Sequence, residues 1–267
     1  MPLSDIVVKY RLSGTVIHAG AHLVQEKDLY RSSDLEPVFW IEAIPELAEK
    51  SQILLESYSN QAIIEGALWS KSGERKDFNL SSNQLASSSF LQMGLHKVAF
   101  PEVSAISKLM LITTTLDEIP QIKELRDITL LVLDIQGAEL EALNGAISTL
   151  AKTKYIFTEV SILPLYKDQA TFVEILGFLE IGGFSLLEFE VNDRTGHGNA
   201  LFGQNVEPNK SAMFLADRLV MKMEFSIFRR ITQKSAHLLF KIRRSLNYFG
   251  IPIYLMRRPS RLKRRSE

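Results

Sequence analysis

The sequence predicts an α/β fold, a mostly parallel sheet with helices on both faces. Three observations predict it. Apolar runs of strand length alternate with stretches at helical spacing. Three of those runs close on a glycine or a single acid, as strands of an open parallel sheet do where they deliver groups to a ligand. The last two runs are joined by a short turn region containing Gly196-His197-Gly198, which suits a closing hairpin with an antiparallel edge.

Taken in order, residues 1–13 read as a short lead-in, with Ile6, Val7 and Val8 packing against the first strand. That strand is Thr15 to His22, closing on Gly20, and Val24 to Tyr30 suits the helix after it. Pro37 opens the second strand, Val38 to Glu42, and Pro45 stands in the first turn of a helix reaching about Tyr58. Ala62 to Leu68 reads as a third parallel strand. A turn at Lys71 to Glu74 and an extended piece at Asp77 to Leu80 come next. The polar segment Ser81 to Ser89 is expected as a surface loop, either a solvated linker or a pocket wall. Leu109 to Thr113 is extended, and Leu116 to Ile119 resembles a helical turn. The central element is the unbroken apolar run Leu130 to Leu133, which delivers Asp134 and turns at Gly137 into a helix ending near Leu150. Strands follow at Tyr155 to Val160, Phe184 to Val191 and Asn199 to Phe202, with a helix from Thr171 to Ile181.

Composition narrows the class. With 46% hydrophobic residues in 267, a substantial core forms and wholesale disorder is excluded. No cysteine occurs, which removes disulfides, thiolate metal sites and cysteine nucleophiles. The amino terminus lacks a basic stretch followed by a long apolar core, and no apolar run is long enough to span a bilayer. A soluble, cytoplasmic protein is expected. The formal net charge of 0 conceals a division: residues 204–267 carry 15 Lys/Arg and 4 Asp/Glu, leaving the first 203 residues strongly acidic. Two units are expected, a catalytic or binding domain over 1–203 and a basic, helical extension over 204–267 with a disordered end.

Gly20, Glu42 and Asp134 converge at the ends of three strands. A glycine lets a ligand approach the backbone, and an acid accepts hydrogen bonds from ribose hydroxyls. Gly20-Ala21-His22-Leu23-Val24 lacks the G-x-G-x-x-G cradle for a pyrophosphate, so an S-adenosylmethionine site suits the residues better than a dinucleotide site. Asp134 and Glu159 are the acid candidates for positioning or deprotonating an acceptor. His22 and His197 are further candidate bases. Glu139 and Glu141 read as helix-start charges and Trp40 as core. The histidines lack ligand spacing, so no metal is expected, although magnesium between Asp134 and Glu159 remains an option.

Several linked stretches carry a specific resemblance: Ile17 to His22 through Gln25, Glu26 and Tyr30; Phe39 to Ala43; the Ser/Asn-rich loop; Thr113 to Asp117; Leu133 to Glu139; and Thr158 to Val160. Over about residues 14–203 the chain resembles FkbM-type methyltransferases. The resemblance implies a class I methyltransferase-like (Rossmann-like) sheet of seven strands with the last one reversed, S-adenosylmethionine as methyl donor, and O-methylation of a sugar, glycan or glycolipid precursor or another hydroxyl-bearing small molecule. It places Gly20, with Ala21 and His22, under the methionine part of the cofactor, Glu42 and Ala43 at its ribose, and Asp134 at the transfer region. Val24 stands where the family pattern G-A-H-x-G-Q-E has a second glycine. Either the turn differs here or cofactor binding is weakened, and in the latter case a non-catalytic binding or scaffold protein on the same fold is the alternative.

The basic end mixes apolar and cationic residues from Met221 to Phe249 and finishes with Arg257, Arg258, Arg261, Lys263, Arg264 and Arg265. Amphipathic helices with a polybasic finish suit the inner face of an anionic membrane, a protein partner or a second copy of the chain. No nucleic-acid module is present, and nucleic acid is not expected.

Overall fold

A computed structural model describes residues 1–232. Met1–Val220 form one compact unit. Helix α1 (Leu3–Tyr10) precedes strand β1 (Val16–Ala19); α2 (Lys27–Ser32), β2 (Val38–Glu42), α3 (Pro45–Leu54) and β3 (Gln61–Glu65) follow. Three strands, β4 (Ala67–Leu68), β5 (Arg75–Ser81) and β6 (Ala105–Thr114), make a small separate sheet in the order β4-β6-β5, with α4 (His96–Ala99) between the last two. A 3₁₀ turn at Leu116–Glu118 and α5 (Pro120–Lys123) lead to β7 (Ile128–Leu133), α6 (Glu139–Asn144), α7 (Ile147–Leu150), β8 (Thr153–Ser161), α8 (Phe172–Ile181), β9 (Phe184–Val191), β10 (His197–Gln204) and α9 (Lys210–Thr232).

The main sheet has seven strands in the order β3-β2-β1-β7-β8-β10-β9. All pairings are parallel except those of β10, which runs against both β8 and β9. The last strand is the reversed one, as expected, but it inserts between its neighbours and β9 takes the edge. The central strands are buried on both faces, which is why they read as continuous apolar runs. Val16, Val38, Trp40, Leu130, Val132 and Leu201 join Ile6 and Val7 of α1 and Tyr30 of α2 in one core cluster. Ile17, Ile41, Leu131, Leu133 and Ile156 are buried as well.

Local chemistry explains the element boundaries. Pro45 starts α3 with its fixed φ, and Thr171 with Glu174 forms a reciprocal capping box at α8. His18, the one polar side chain of β1, stacks on Trp40 and bonds Tyr30 Oη through Nδ1 at 2.8 Å; burial drives its pKa down to about 3, so it is a neutral core residue.

Three expectations are corrected. The lead-in is helical, and Val8 is exposed while Ile6 and Val7 are buried, because α1 turns only one face to the core. The stretch Ala62 to Leu68 is two strands in two sheets: Gly66 breaks it, its N–H donating to the Glu42 carbonyl before the chain leaves for β6. The helix after Gly20 starts at Lys27, three residues later than expected, since His22 and Val24 both take positive φ. Of the basic end, the amphipathic stretch beyond residue 232 and the run from Arg257 to Arg265 lie outside the described residues.

Register sets up everything that follows. Ala19 pairs with Ile41 on one side and Leu133 on the other, so Gly20, Glu42 and Asp134 leave the sheet in one row. The β1 and β7 ends approach so closely that a Cβ on Gly20 would lie 1.9 Å from the Asp134 carbonyl oxygen, and Gly20 also holds φ at +88°. Both facts exclude a side chain. Gly20→Ala is expected to lose at least ~2 kcal/mol of stability in urea unfolding, since backbone rather than a movable side chain must yield.

Candidate active site

A cleft opens at the carboxyl ends of β1, β2 and β7, enclosing about 580 Å³ when the open space at its mouth is included. Ala19, Gly20, Ile41, Glu42 and Ala43 line its floor, with Asp134, Ile135, Gln136 and Ala138 on one side. Leu68 and Phe78 of the small sheet and Leu85, Ala86, Ser88 and Phe90 of the loop after it form the facing wall. Phe78, Ile44 and Leu47 are the centre of a second apolar cluster that fixes this wall to the start of α3. The Ser-rich segment is thus a pocket wall, and its apolar members as well as its hydroxyls do the lining.

Glu42 is buried at 6% exposure and receives the backbone N–H of His22 at Oε2 (2.8 Å) and of Ile44 at Oε1 (2.9 Å). Burial raises its carboxyl pKa against the opposing effect of those amides. Each oxygen retains a lone pair for a further donor. His22 has its ring fixed at both nitrogens, with Gln25 Nε2 at 2.9 Å from Nδ1 and the Gln84 carbonyl at 2.9 Å from Nε2. The latter oxygen only accepts, so Nε2 carries the hydrogen and Nδ1 accepts from the Gln25 amide. Its ring therefore pins the Ser-rich loop to the Gly20 turn.

Asp134 is reached by solvent through the cleft yet is densely surrounded by protein atoms. That withdrawal from water, reinforced by the charge of Glu159, brings its pKa up to about 7. Gln136 Nε2 donates to Asp134 Oδ1 (2.6 Å) and lies 3.3 Å from Glu159 Oε2. On its other oxygen Glu159 pairs with His197 Nε2 at 3.0 Å. Burial opposes charge on His197, but the hydrogen bond and charge of Glu159, with Asp134 and Glu139 behind, prevail and raise the imidazole pKa. Glu139, 1% exposed, accepts the N–H groups of Ile135 and Gly137 and so closes the β7–α6 turn; burial and Glu159 hold its carboxyl above the usual carboxylate range. The structural reading of Glu139 stands, with an electrostatic effect on the site added.

The structure thus brings Gly20, His22, Glu42, Ala43 and Asp134 to one cleft, with Glu159 one hydrogen bond behind its rim. Ala21 is not part of it: its side chain is 1% exposed within the core cluster, and its N–H donates to the Ile41 carbonyl. Val24 does take the left-handed conformation its glycine counterpart would, at φ +47°, but its side chain is fully buried in the core and does not line the cleft. Sequence reasoning missed Gln136, Tyr166 and His96. Tyr166 Oη donates toward Gln136 Oε1 (2.9 Å) and packs on the His96 ring, whose Nδ1 is buried without a hydrogen-bond partner among the described residues. Only the left-handed Gln136-Gly137 pair, a Gln where a turn wants Gly or Asn, offered a signal in the sequence.

The methyltransferase FkbM domain family matches residues 19–186, well over half of the chain. No curated protein matches the sequence. Among solved structures, the chain is similar to TrmK of M. capricolum in complex with S-adenosylhomocysteine (9% identity, 92% of this chain and 94% of that one, TM-score 0.49). It is similar also to magnesium protoporphyrin IX methyltransferase of Synechocystis with bound S-adenosylmethionine (9%, 76% and 78%, TM-score 0.43) and to the fibrillarin pre-rRNA processing protein of Methanococcus jannaschii (13%, 74% and 68%, TM-score 0.43). With the family matched from the end of β1 to residue 186, the chain belongs to the FkbM methyltransferases.

Proposed function

We propose that this methyltransferase transfers a methyl group from S-adenosylmethionine to a hydroxyl of a sugar, glycan or glycolipid precursor. The observation that carries the reading is the row Gly20, Glu42, Asp134 in one cleft, with Asp134 backed by Glu159 and His197. The residues fit the cofactor. Glu42 offers a buried carboxylate, with lone pairs left over, to adjacent ribose hydroxyls, and Phe78, Phe90 and Leu85 offer an apolar wall to a flat base. When bound, S-adenosylmethionine supplies an electrophilic methyl on sulfonium, and transfer is an in-line displacement that needs alignment more than covalent help. Asp134 accepts the proton of the attacking hydroxyl as the new C–O bond forms. A base with a pKa near working pH is well matched to that task. Among the described residues, no Lys or Arg lines the cleft, whereas Asp134, Glu139 and Glu159 make its far side acidic. A neutral hydroxyl-bearing acceptor suits such a wall better than a phosphorylated one.

The basic extension supports a place at an anionic membrane surface on the cytoplasmic side. No helix among the described residues is long and apolar enough to cross a membrane, so the attachment proposed is peripheral.

Calorimetry with S-adenosylmethionine should show Glu42→Ala binding at least ~10-fold more weakly than the natural chain, the loss of a charged acceptor for two hydroxyls. Equal affinities would remove Glu42 from the cofactor site. In a methyl-transfer assay over a panel of neutral sugars, Asp134→Asn should lower kcat by about 100-fold. Because the base works ionised, the natural enzyme's kcat should climb with pH up to about 7 and level above it, and the variant should lose that limb. Full-length protein should float with liposomes containing anionic lipid while residues 1–232 should not; equal flotation would rule out a membrane role for the tail.

A further inference from the structure

Gln136 is held at both ends of its side-chain amide and at its backbone carbonyl. It holds φ at +56°, a left-handed conformation that is unfavourable for a non-glycine residue and persists where the surroundings enforce it. Four groups enforce it. Its Nε2 donates to Asp134 Oδ1 at 2.6 Å and reaches Glu159 Oε2 at 3.3 Å; its Oε1 receives Tyr166 Oη at 2.9 Å; its carbonyl receives Ser89 Oγ at 2.7 Å. The carboxylates set the orientation of the amide: with its ends exchanged, the carbonyl oxygen would face Asp134 and Glu159, which offer no donor when ionised.

Two consequences follow from that geometry. First, one NH₂ bridges two carboxyl groups, and Asp134 and Glu159 are thereby held apart in role: Glu159 keeps its other oxygen on His197, and Asp134 has Oδ1 occupied. Second, Tyr166 Oη lies 3.2 Å from the Ser87 carbonyl, so the segment that walls the cofactor cleft is tied through Ser87 and Ser89 to the residue that holds Asp134.

We propose that Gln136 is a positioning residue for methyl transfer, its carboxamide fixing Asp134 for the acceptor hydroxyl and linking that carboxylate to the loop over the cofactor. The proposal rests on the O-methyltransferase reading above. The groups facing Asp134 are Glu159 from β8, His197 from β10, Glu139 from α6, Tyr166 from the segment after β8 and Glu26 from the segment before α2, with Gln136 on its own turn. Of these, Gln136 and His197 favour the carboxylate and the three glutamates oppose it.

The test is a pH titration of full-length protein carrying ¹³C-labelled Asp carboxyls, with Asp134→Asn to assign the signal. Gln136→Met removes the donor at similar size and should move the Asp134 midpoint upward by about one pH unit. Tyr166→Phe frees the amide without touching Asp134 and should move it the same way by less. A folded Gln136→Met with the natural midpoint overturns the proposal; should that variant not fold, an unmoved midpoint in Tyr166→Phe does so instead. Calorimetry with S-adenosylmethionine separates the levels of the claim. Affinity within about threefold of the natural chain in Gln136→Met supports positioning of the acid, and a loss of tenfold or more overturns it by moving Gln136 into cofactor binding. If the natural chain itself binds no S-adenosylmethionine, the functional reading fails, and with it the catalytic meaning of any shift at Asp134.

Discussion

The approach of two backbones at the ends of β1 and β7 governs the rest of the molecule. Neighbouring strands normally lie about 4.8 Å apart, and here Asp134 N–H bonds the Ala19 carbonyl at 3.0 Å just before the chains part. The Asp134 carbonyl then takes the space a side chain at position 20 would fill. From this point β1 leads outward to β2 and β7 leads the other way to β8, so the crevice between the diverging connections lies where the strand order reverses. Glu42 enters it from one side and Asp134 from the other because the register has already levelled them. No loop has to search for this arrangement; it is a property of the sheet.

The acidic side of the crevice is organised by a shortage of counter-charge. Three carboxyls, Asp134, Glu139 and Glu159, stand close together among protein atoms, and burial with the charge of Glu159 raises the pKa of Asp134 and of Glu139. Each is given different company. Glu139 is spent on two amides of its own turn, and Glu159 on His197, whose imidazole it raises. Asp134 alone opens to the cleft, with one oxygen held by an amide and a pKa near neutrality. His96 stands behind this group with its pKa lowered by burial and by His197, which keeps a second positive charge out of the cluster. Of these three carboxyls, Asp134 is the one that faces the cleft, with a pKa set by burial and neighbours more than by the residue type.

What was legible in the sequence was what one strand or one turn decides. Leu130 to Leu133 could only be a strand buried on both faces, and an acid after such a run marks a strand end, so Asp134 and Glu42 were found without coordinates. Trp40 as core and the helix from Thr171 were similarly local. Where several elements decide together, reading failed. Ala62 to Leu68 is one apolar stretch in sequence, and only the pairing of Ala67 with Thr113 shows that the chain has changed sheets. Gln136 acquires its meaning from Tyr166, thirty residues on, and from Ser89, forty-seven residues back. No local pattern encodes such distances. Ala21 was misplaced for a related reason: at a tight turn adjacent residues face opposite ways, and which one faces the ligand depends on a φ that the sequence does not display.

Val24 shows how a departure from the family pattern can be absorbed. The turn after Gly20 needs a left-handed residue at position 24, whose N–H and C=O bond Ala21 and Lys27. Glycine meets that need without strain; valine meets it at roughly 1–2 kcal/mol or somewhat more for its branched Cβ. Burying a valine side chain, however, returns about 1.5–3 kcal/mol, and this one is fully enclosed beside Ala21, Tyr30 and Leu35. The two effects are of equal size, so the substitution is close to neutral for the fold. Its cost to the cleft is smaller still, because the conformation that strains the backbone also turns the isopropyl group toward the core. A glycine in a family pattern can thus mark a required φ without marking a ligand contact, and the two requirements part company at this position.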